Sequence, residues 1–183
     1  MPRFAANLSM MFAELPFMAR FEAAAEAGFG GVEYLFPYTY SPEEIGTELK
    51  RLGLTQALFN APPGDWDGGE RGLAALPGRE GEFQASFETA LNYAEAIQPQ
   101  CLHVMSGLVD PIGAAGQAAE AVLIDNLRHA TARAAERHPG LTLTLEPINT
   151  RDMPGYFLNF TDQALRIIEA VAAENLKLQL DLY

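Results

Sequence analysis

The sequence alternates between two hydrophobic periods along its whole length, and this alternation limits the possible folds more than any other feature. Short segments with apolar residues at every second position predict strands, and longer segments with apolar residues three and four positions apart predict helices. The predicted strands cover residues 4–8, 31–36, 55–60, 101–106, 141–146 and 176–181, and the predicted helices cover residues 17–27, 42–52, 79–97, 114–137 and 161–173. A strand-helix unit recurs about every 30 residues, which indicates a parallel sheet with right-handed crossovers.

Two α/β architectures are compatible with a single domain over residues 1–183. One is an incomplete (β/α)8 barrel, because a closed barrel typically needs about 250 residues and this chain has 183. The other is a six-stranded open, doubly wound sheet. The first strand-to-helix turn, residues 7–14, lacks a Gly-rich phosphate-binding loop, which weakens the case for a nucleotide-binding sheet.

Local signals fix where two of the helices begin. Ser41-Pro-Glu-Glu44 predicts an N-cap serine followed by proline at the first helical position, and Gly53 predicts the end of the same helix. Thr161 predicts an N-cap for the last helix.

Acidic residues end two of the predicted strands. Glu146 ends the run Leu-Thr-Leu-Thr-Leu, where Pro147 stops the strand, and Asp181 ends the next strand. The carboxyl ends of parallel strands meet at one crevice, so we expect the two carboxylates to converge there. Such a pair can bind a hard divalent cation or exchange a proton next to a carbonyl. The alternative is a structural ion pair between Glu146 and a loop cation such as Arg151.

The long Gly-, Pro- and acid-rich connection after the third strand, residues 61–78, lies on the same predicted rim. Long loops in compact domains are usually functional or disordered. Asn60, Glu70 and Arg71 are candidate substrate-binding residues, since an arginine can hold a substrate carboxylate through two hydrogen bonds. The alternative is a compact loop closed by packing of Trp66 and by an ion pair of Glu70 or Asp65 with Arg71.

His103 and Glu33 are two further polar residues within predicted strands. His103 is a candidate substrate-binding residue, although a lone histidine in a strand is more often a hydrogen-bonded core residue. Glu33 joins Glu146 and Asp181 in one acid cluster if its side chain points into a barrel, and a structural ion pair is the more common outcome.

Composition excludes several classes of function. The net charge of −12 opposes binding to nucleic acid, because affinity for a phosphate backbone depends on Lys and Arg. No stretch approaches the roughly 20 apolar residues of a membrane span, so we expect no membrane partner. Cys101 is the one cysteine and lies in an apolar run, which favours a small buried side chain in a reducing compartment. We therefore expect a cytoplasmic protein.

Six segments carry a resemblance that periodicity alone does not provide. They are Phe4-Ala-Ala-Asn-Leu-Ser-Met10, Gly31-Val-Glu-Tyr-Leu-Phe-Pro-Tyr38, Gly64-Asp-Trp66 with Gly69-Glu-Arg-Gly72, Pro77-Gly-Arg-Glu80, Leu145-Glu-Pro-Ile-Asn149 and Asp181-Leu-Tyr183. Together they resemble hydroxypyruvate isomerase, a family of the xylose isomerase-like barrels that also include sugar epimerases, 2-oxo-tetronate isomerases and endonuclease IV. The resemblance extends over essentially the whole chain, and the loop after the third strand is its most specific part.

The resemblance implies a (β/α)8 barrel that interconverts hydroxypyruvate and 2-hydroxy-3-oxopropanoate, also called tartronate semialdehyde. It implies a divalent metal, Mg or Mn, with Glu146 and Asp181 among its ligands. Glu146 would also be one of two glutamates that donate and accept the proton. Such a cation polarises the carbonyl and hydroxyl oxygens and stabilises an enediolate while the carboxylate moves the proton.

The chain departs from the family pattern at its end. The family usually continues with His after the Asp-x-Tyr motif and then with strands seven and eight, whereas this sequence stops at Tyr183. We hypothesise a truncated isomerase that has little or no activity alone and whose exposed edge strands favour a homo-oligomer.

Three alternatives to a hydroxypyruvate isomerase remain at this stage. Within the same fold, the chain can belong to a sugar epimerase or a 2-oxo-tetronate isomerase. Outside catalysis, it can be a non-catalytic fragment or a binding module. A nuclease of the endonuclease IV type is the weakest alternative, because of the acidic charge and the lack of the extra histidines of a three-metal site.

Overall fold

The computed structural model describes residues 2–110 and 112–181, and within them five helices lie against one six-stranded sheet. In chain order the elements are β1 (Ala6–Asn7), α1 (Phe17–Glu26), β2 (Gly31–Glu33), α2 (Pro42–Leu52), β3 (Thr55–Asn60), α3 (Glu80–Ile97), β4 (Cys101–His103), α4 (Gly113–Arg137), β5 (Thr142–Leu145), α5 (Thr161–Val171) and β6 (Leu176–Leu178). The predicted alternation of strands and helices is therefore confirmed. Of the predicted motif at the chain end, Leu182 and Tyr183 lie outside the described residues.

All neighbouring strands are parallel, and their order in the sheet is their order in the chain. This order is that of a barrel wall, in which each strand-helix unit adds one strand beside the previous one. It differs from a doubly wound sheet, whose strand order reverses once. Among the described residues, β1 and β6 form the two edges, and no helix has the length and apolar character needed to cross a lipid bilayer.

The helix signals in the sequence were partly right. Ser41 is the N-cap of α2, where its Oγ accepts a hydrogen bond from the backbone N–H of Glu44 at 3.3 Å, and Gly53 ends the helix in the left-handed conformation. The prediction for Thr161 was wrong, since it is the first helical residue and Phe160 is the N-cap, without a side-chain hydrogen bond. Gln163 instead accepts the N–H of Asn159 at 3.3 Å.

Most strands are shorter than predicted, and β4 shows why. Apolar residues continue to Met105, but β4 ends at His103. Beyond it, Ser106 forms an antiparallel bridge to Gly72, and Leu108 forms another to Tyr156. These contacts with other loops replace the parallel pairing that the local pattern predicted.

The sheet has two chemically different faces. On the outer face, register partners Leu102, Leu143 and Leu176 are each at most 1% exposed and belong to the hydrophobic core that the helices cover. On the opposite, inner face, register places polar side chains beside one another. They are Asn7 with Glu33, and Asn60 with His103, Thr144 and Lys177. The inner face of the barrel wall, on the side opposite the helices, is therefore polar.

Candidate functional site

Two carboxylates stand at the carboxyl end of the inner face. Glu146 follows Thr142 and Thr144 at spacing two, which places it on the same side of β5. Asp181 follows Lys177 at the same period along the segment from β6, and Lys177 is the register partner of Thr144. The two predicted acids therefore emerge on one side of adjacent strands.

Glu146 is largely withdrawn from solvent, with 15% of its side chain exposed. Its pKa is raised from 4.5 to about 7. Burial is the largest cause, and the negative charge of Asp181 is the second. Glu33 adds a smaller repulsion, and a hydrogen bond with Gln179 acts in the opposite direction. The result is a carboxyl group whose pKa lies near neutral pH.

Glu33 belongs to the same electrostatic cluster. Its carboxylate accepts a hydrogen bond from the Asn7 side-chain amide at 3.0 Å. Burial raises its pKa, the Asn7 hydrogen bond lowers it, and the charge of Asp181 raises it. The structural ion pair that the sequence favoured for Glu33 is absent among the described residues, where a neutral amide partners it.

Two residues that the strand-end pattern did not indicate, Asn7 and Gln179, both act on the acids. Asn7 comes directly before the first turn and its effect depends on a partner 26 residues away. Gln179 also accepts a hydrogen bond from the Thr144 hydroxyl at 2.9 Å. The alternation Lys177, Gln179, Asp181 was the available signal, because it places all three on one side of the strand.

His103 lies beside Glu146 on the inner face. Its Nδ1 is 3.7 Å from Oε2 of Glu146, and its side chain is 2% exposed. Complete burial lowers its pKa to about 4, so the imidazole is neutral at pH 7. Among the described residues, neither ring nitrogen has a hydrogen-bond partner. The expectation of a hydrogen-bonded core histidine was therefore wrong.

The loop after β3 is closed by different partners from those predicted. Arg71 stacks on Trp66, with its Cζ 3.9 Å from the ring centroid, and its Nη1 donates to the carbonyl oxygens of Trp66 and Glu70. Glu70 pairs with Arg79 rather than with Arg71 and also accepts the N–H of Asp65 at 2.6 Å. The predicted packing of Trp66 is confirmed. The predicted ion pair with Arg71 was wrong, because Glu70 pairs with Arg79, nine residues after it.

Gly72 brings the backbone of this loop into contact with the segment that follows β4. Its φ is +115°, and a Cβ at this position would collide with the carbonyl group of Met105. Only glycine allows this approach without strain. The loop after β5 is attached to the same segment, since the N–H of Ser106 donates to the Tyr156 hydroxyl at 3.0 Å. Three loops thus share one rim around Glu146.

Asn60 completes the set of predicted residues. It is 4% exposed, its backbone oxygen accepts a hydrogen bond from the Tyr38 hydroxyl at 2.6 Å, and its amide approaches the sulfur of Met105. The structure brings Asn60, His103, Glu146 and Asp181 to one face of the sheet. Arg71 and Glu70 lie on the adjoining loop, and the alternative partner of Glu146, Arg151, forms no ion pair with it among the described residues.

The donor set suits a hard cation. Carboxylate oxygens are the preferred protein ligands of Mg²⁺, and the mutual repulsion of Glu146 and Asp181 is what a bound cation relieves. Among the described residues, no group of three or more His, Cys, Asp or Glu side chains is arranged to hold a metal. Two carboxylates from this chain would therefore leave the other ligand positions to water, substrate or other protein groups.

A cavity of about 640 Å³ lies at the opposite, amino-terminal end of the sheet. Its lining includes Arg3, Phe29, Thr55 and Gln100, with Arg3 as the one charged side chain. Although its size suits a small ligand, it lacks an acid or a base for proton transfer. The acid cluster, and not this cavity, is the candidate for chemistry.

Comparison with known proteins gives a consistent result. A family model described as "Xylose isomerase-like TIM barrel" matches residues 21–183. A 2-oxo-tetronate isomerase of Cupriavidus necator is 54% identical over 183 residues, which are 100% of this chain and 69% of the relative. The hydroxypyruvate isomerase of Escherichia coli is 44% identical, with 100% of this chain and 70% of the relative covered.

Among solved structures, a Brucella melitensis protein described as an AP endonuclease of family 2 has a TM-score of 0.95 and 51% identity, over 100% of this chain and 69% of that one. The chain therefore spans about 70% of the length of these relatives.

Proposed function

Because this chain belongs to the xylose isomerase-like TIM barrel family, we propose that it carries part of the active site of an isomerase for a short hydroxy-oxo acid. The reaction moves one proton between adjacent carbons and another between their oxygens, so that a carbonyl group and the neighbouring hydroxyl group exchange places. The relatives of 54% and 44% identity are named isomerases of this kind, and the acid cluster supplies the necessary proton-transfer group.

The observation that carries the proposal is the environment of Glu146. A general base works best when its pKa lies near the operating pH, and burial together with the charge of Asp181 raises the pKa of Glu146 to about 7. This carboxylate can accept a proton from a carbon next to a carbonyl and return it to the neighbouring carbon. A glutamate in ordinary solvent, with a pKa near 4.5, would be a weaker base.

Glu146 and Asp181 are the residues that would hold a divalent cation such as Mg or Mn. A bound cation would polarise the carbonyl oxygen of the substrate and so make the adjacent proton more acidic. The chain's own part is to keep the two carboxylates on neighbouring segments at the carboxyl end of the inner face, with Glu146 largely shielded from solvent and Asp181 exposed.

Arg71 is the group that we assign to the substrate carboxylate. Its Nη1 donates within the loop and its Cζ lies 3.9 Å from the centroid of the Trp66 ring, and these contacts restrain the guanidinium group. Planar guanidinium groups suit two-point binding of carboxylates. Asn60 contributes a buried amide on the inner face, whereas Glu70 supports the loop through Arg79.

The choice of substrate lies between two acids. Hydroxypyruvate is the first choice from the sequence motifs, and a 2-oxo-tetronate is the second candidate, favoured by the higher identity of 54% against 44%. A nuclease function is disfavoured despite the description of the Brucella melitensis structure, because a net charge of −12 repels a phosphate backbone. A non-catalytic module would not need a buried acid with a pKa of about 7.

The decisive experiment measures turnover of a chimera that joins residues 1–183 to the part of the Cupriavidus necator relative that they do not match. We expect the chimera to isomerise one of the two acids when both are assayed side by side. Glu146→Gln should lower its kcat by about 1,000-fold, since general acid-base catalysis contributes roughly 10²–10⁴-fold. Glu169→Gln, an exposed position on α5, is the matched control. Ordinary turnover by the Glu146→Gln chimera would exclude the proton-transfer role.

Cation binding has its own test on residues 1–183. Mn²⁺ binding, followed by water proton relaxation, should weaken at least tenfold in Glu146→Gln and in Asp181→Asn. If neither substitution changes the Mn²⁺ affinity, Glu146 and Asp181 are not its ligands.

A further inference from the structure

His103 is the most unusual polar residue of the described chain. It ends β4 on the inner face, with Asn60 on one side and Thr144 on the other as register partners. Its side chain is 2% exposed, and neither ring nitrogen has a hydrogen-bond partner among the described residues. Buried polar atoms are nearly always paired, so this exception requires an explanation.

Leaving a buried donor unpaired destabilises the folded state, and a neutral imidazole always carries one N–H donor. A hydrophobic side chain of similar size would avoid this cost at a purely structural position. The two neighbours on the inner face do not satisfy the ring, because the Asn60 amide approaches the sulfur of Met105 and the Thr144 hydroxyl donates to Gln179. The carboxylate of Glu146 lies close to the ring, with its Oε2 3.7 Å from Nδ1.

We propose that His103 is a positioning residue that, as the neutral Nδ1–H tautomer, donates a hydrogen bond to Glu146 and holds this carboxylate toward the substrate. The proposal rests on the proposed function of Glu146 as the proton-transfer group. A separation of 3.7 Å is longer than a hydrogen bond, and catalytic hydrogen bonds often shorten only when the substrate is bound. The direction of the donor sets where the carboxylate lone pairs point.

The tautomer gives a direct test on residues 1–183 that does not depend on activity. Two-dimensional NMR of ¹⁵N-histidine at neutral pH distinguishes Nδ1–H from Nε2–H. We expect His103 to be Nδ1–H, and expect Glu146→Ala to shift it toward Nε2–H because the acceptor is lost. His138 is the internal standard, since its Nε2 lies 3.1 Å from the carbonyl oxygen of Ala94 and must carry the hydrogen. An Nε2–H signal for His103 in the unaltered chain would overturn the proposal.

The chimera provides the functional arm. An asparagine amide can occupy the position of Nδ1, whereas a glutamine amide reaches the position of Nε2. His103→Asn should therefore keep kcat within about fivefold, while His103→Gln should lower kcat by about 100-fold with KM nearly unchanged, as expected for a misplaced catalytic group. Equal losses in both variants, or losses in KM alone, would contradict a positioning role.

The two arms separate this proposal from the proposed function. If Glu146→Gln keeps full activity while the unaltered chain shows Nδ1–H at His103, the function of Glu146 fails and the contact with His103 stands. If Glu146→Gln is inactive and His103 is Nε2–H, the function stands and the role of His103 fails.

Discussion

The outer and inner faces of the sheet use the same strands for opposite purposes. In β5, Leu143 on the outer face is fully buried among leucines of the neighbouring strands. One residue later, Thr144 on the inner face lies beside His103 and Lys177 and bonds to Gln179. A single step along the backbone therefore separates a core position from a site position.

The outer face stabilises the fold, whereas the inner face destabilises it. Apolar groups of the outer face satisfy one another and are stabilised by removal from water at about 25 cal/mol per Å². The inner face gathers Glu33, Glu146 and Asp181, whose charges repel, together with a histidine that lacks a partner among the described residues. An arrangement of this kind lowers stability and is typical of functional sites.

The largest expected effect tests the division between the faces directly. Leu143→Ala should lower the free energy of unfolding by about 3 kcal/mol, because it removes buried methyl groups and leaves a cavity. Thr144→Ala, its neighbour on the inner face, should cost about 1 kcal/mol through loss of the hydrogen bond to Gln179. Urea unfolding followed by circular dichroism measures both. Equal costs would show that the inner face is packed like the core.

The next effect is the pH dependence that Glu146 produces. Its pKa is about 7 in the folded chain against 4.5 in the unfolded chain, so the folded state prefers the protonated form. The corresponding stability is fully present below pH 4.5 and is lost as pH rises to 7 and above. Relative to Glu146→Gln, the unaltered chain should therefore lose on the order of 2 kcal/mol across this window.

Glu88 provides a control of opposite sign for that measurement. Hydrogen bonds from Arg133 and Arg137 lower the pKa of Glu88 on the helical surface. The stability from this carboxylate is present at neutral pH and is lost as pH falls, so Glu88→Gln should matter least in acid. Parallel pH profiles for the Glu88→Gln and Glu146→Gln variants would contradict the proposed difference between surface and inner face.

Sequence alone predicted those parts of the fold that depend on neighbouring residues. The start and end of α2 follow from Ser41 and Gly53, whose effects are local. The end of β4 does not follow from local signals, because the residues after it form bridges to Gly72 and Tyr156, which lie in other loops. Hydrophobic period cannot report such contacts.

The site divides in the same way. Strand-end position was enough to place Glu146 and Asp181 on one side of the sheet, because that position follows from alternation. The inclusion of Glu33 depends on burial and on Asn7, which lies 26 residues earlier. The predicted partner of Glu70 was Arg71, and the observed partner is Arg79, since two arginines lie near Glu70 in the sequence and only the folded geometry selects one.

The smallest effect uses a thiol to compare the two faces in solution. Cys101 is half-buried on the inner face, beside Leu58 and Thr142, and burial raises the pKa of its thiol. We expect iodoacetamide to alkylate it several-fold more slowly than in the unfolded chain, at a rate that low urea concentrations leave unchanged, because reaction on an open face needs no unfolding.

The matched variant moves the thiol by one residue. In Cys101→Ser with Leu102→Cys, the thiol lies on the outer face, where the position is fully buried, and it reacts only when the chain opens. Its alkylation rate should therefore rise steeply with urea, in proportion to the population of the open form. Mass spectrometry measures both rates. The same steep rise for Cys101 would mean that solvent reaches the two faces only through unfolding, and the inner face would then not be an accessible site in this chain.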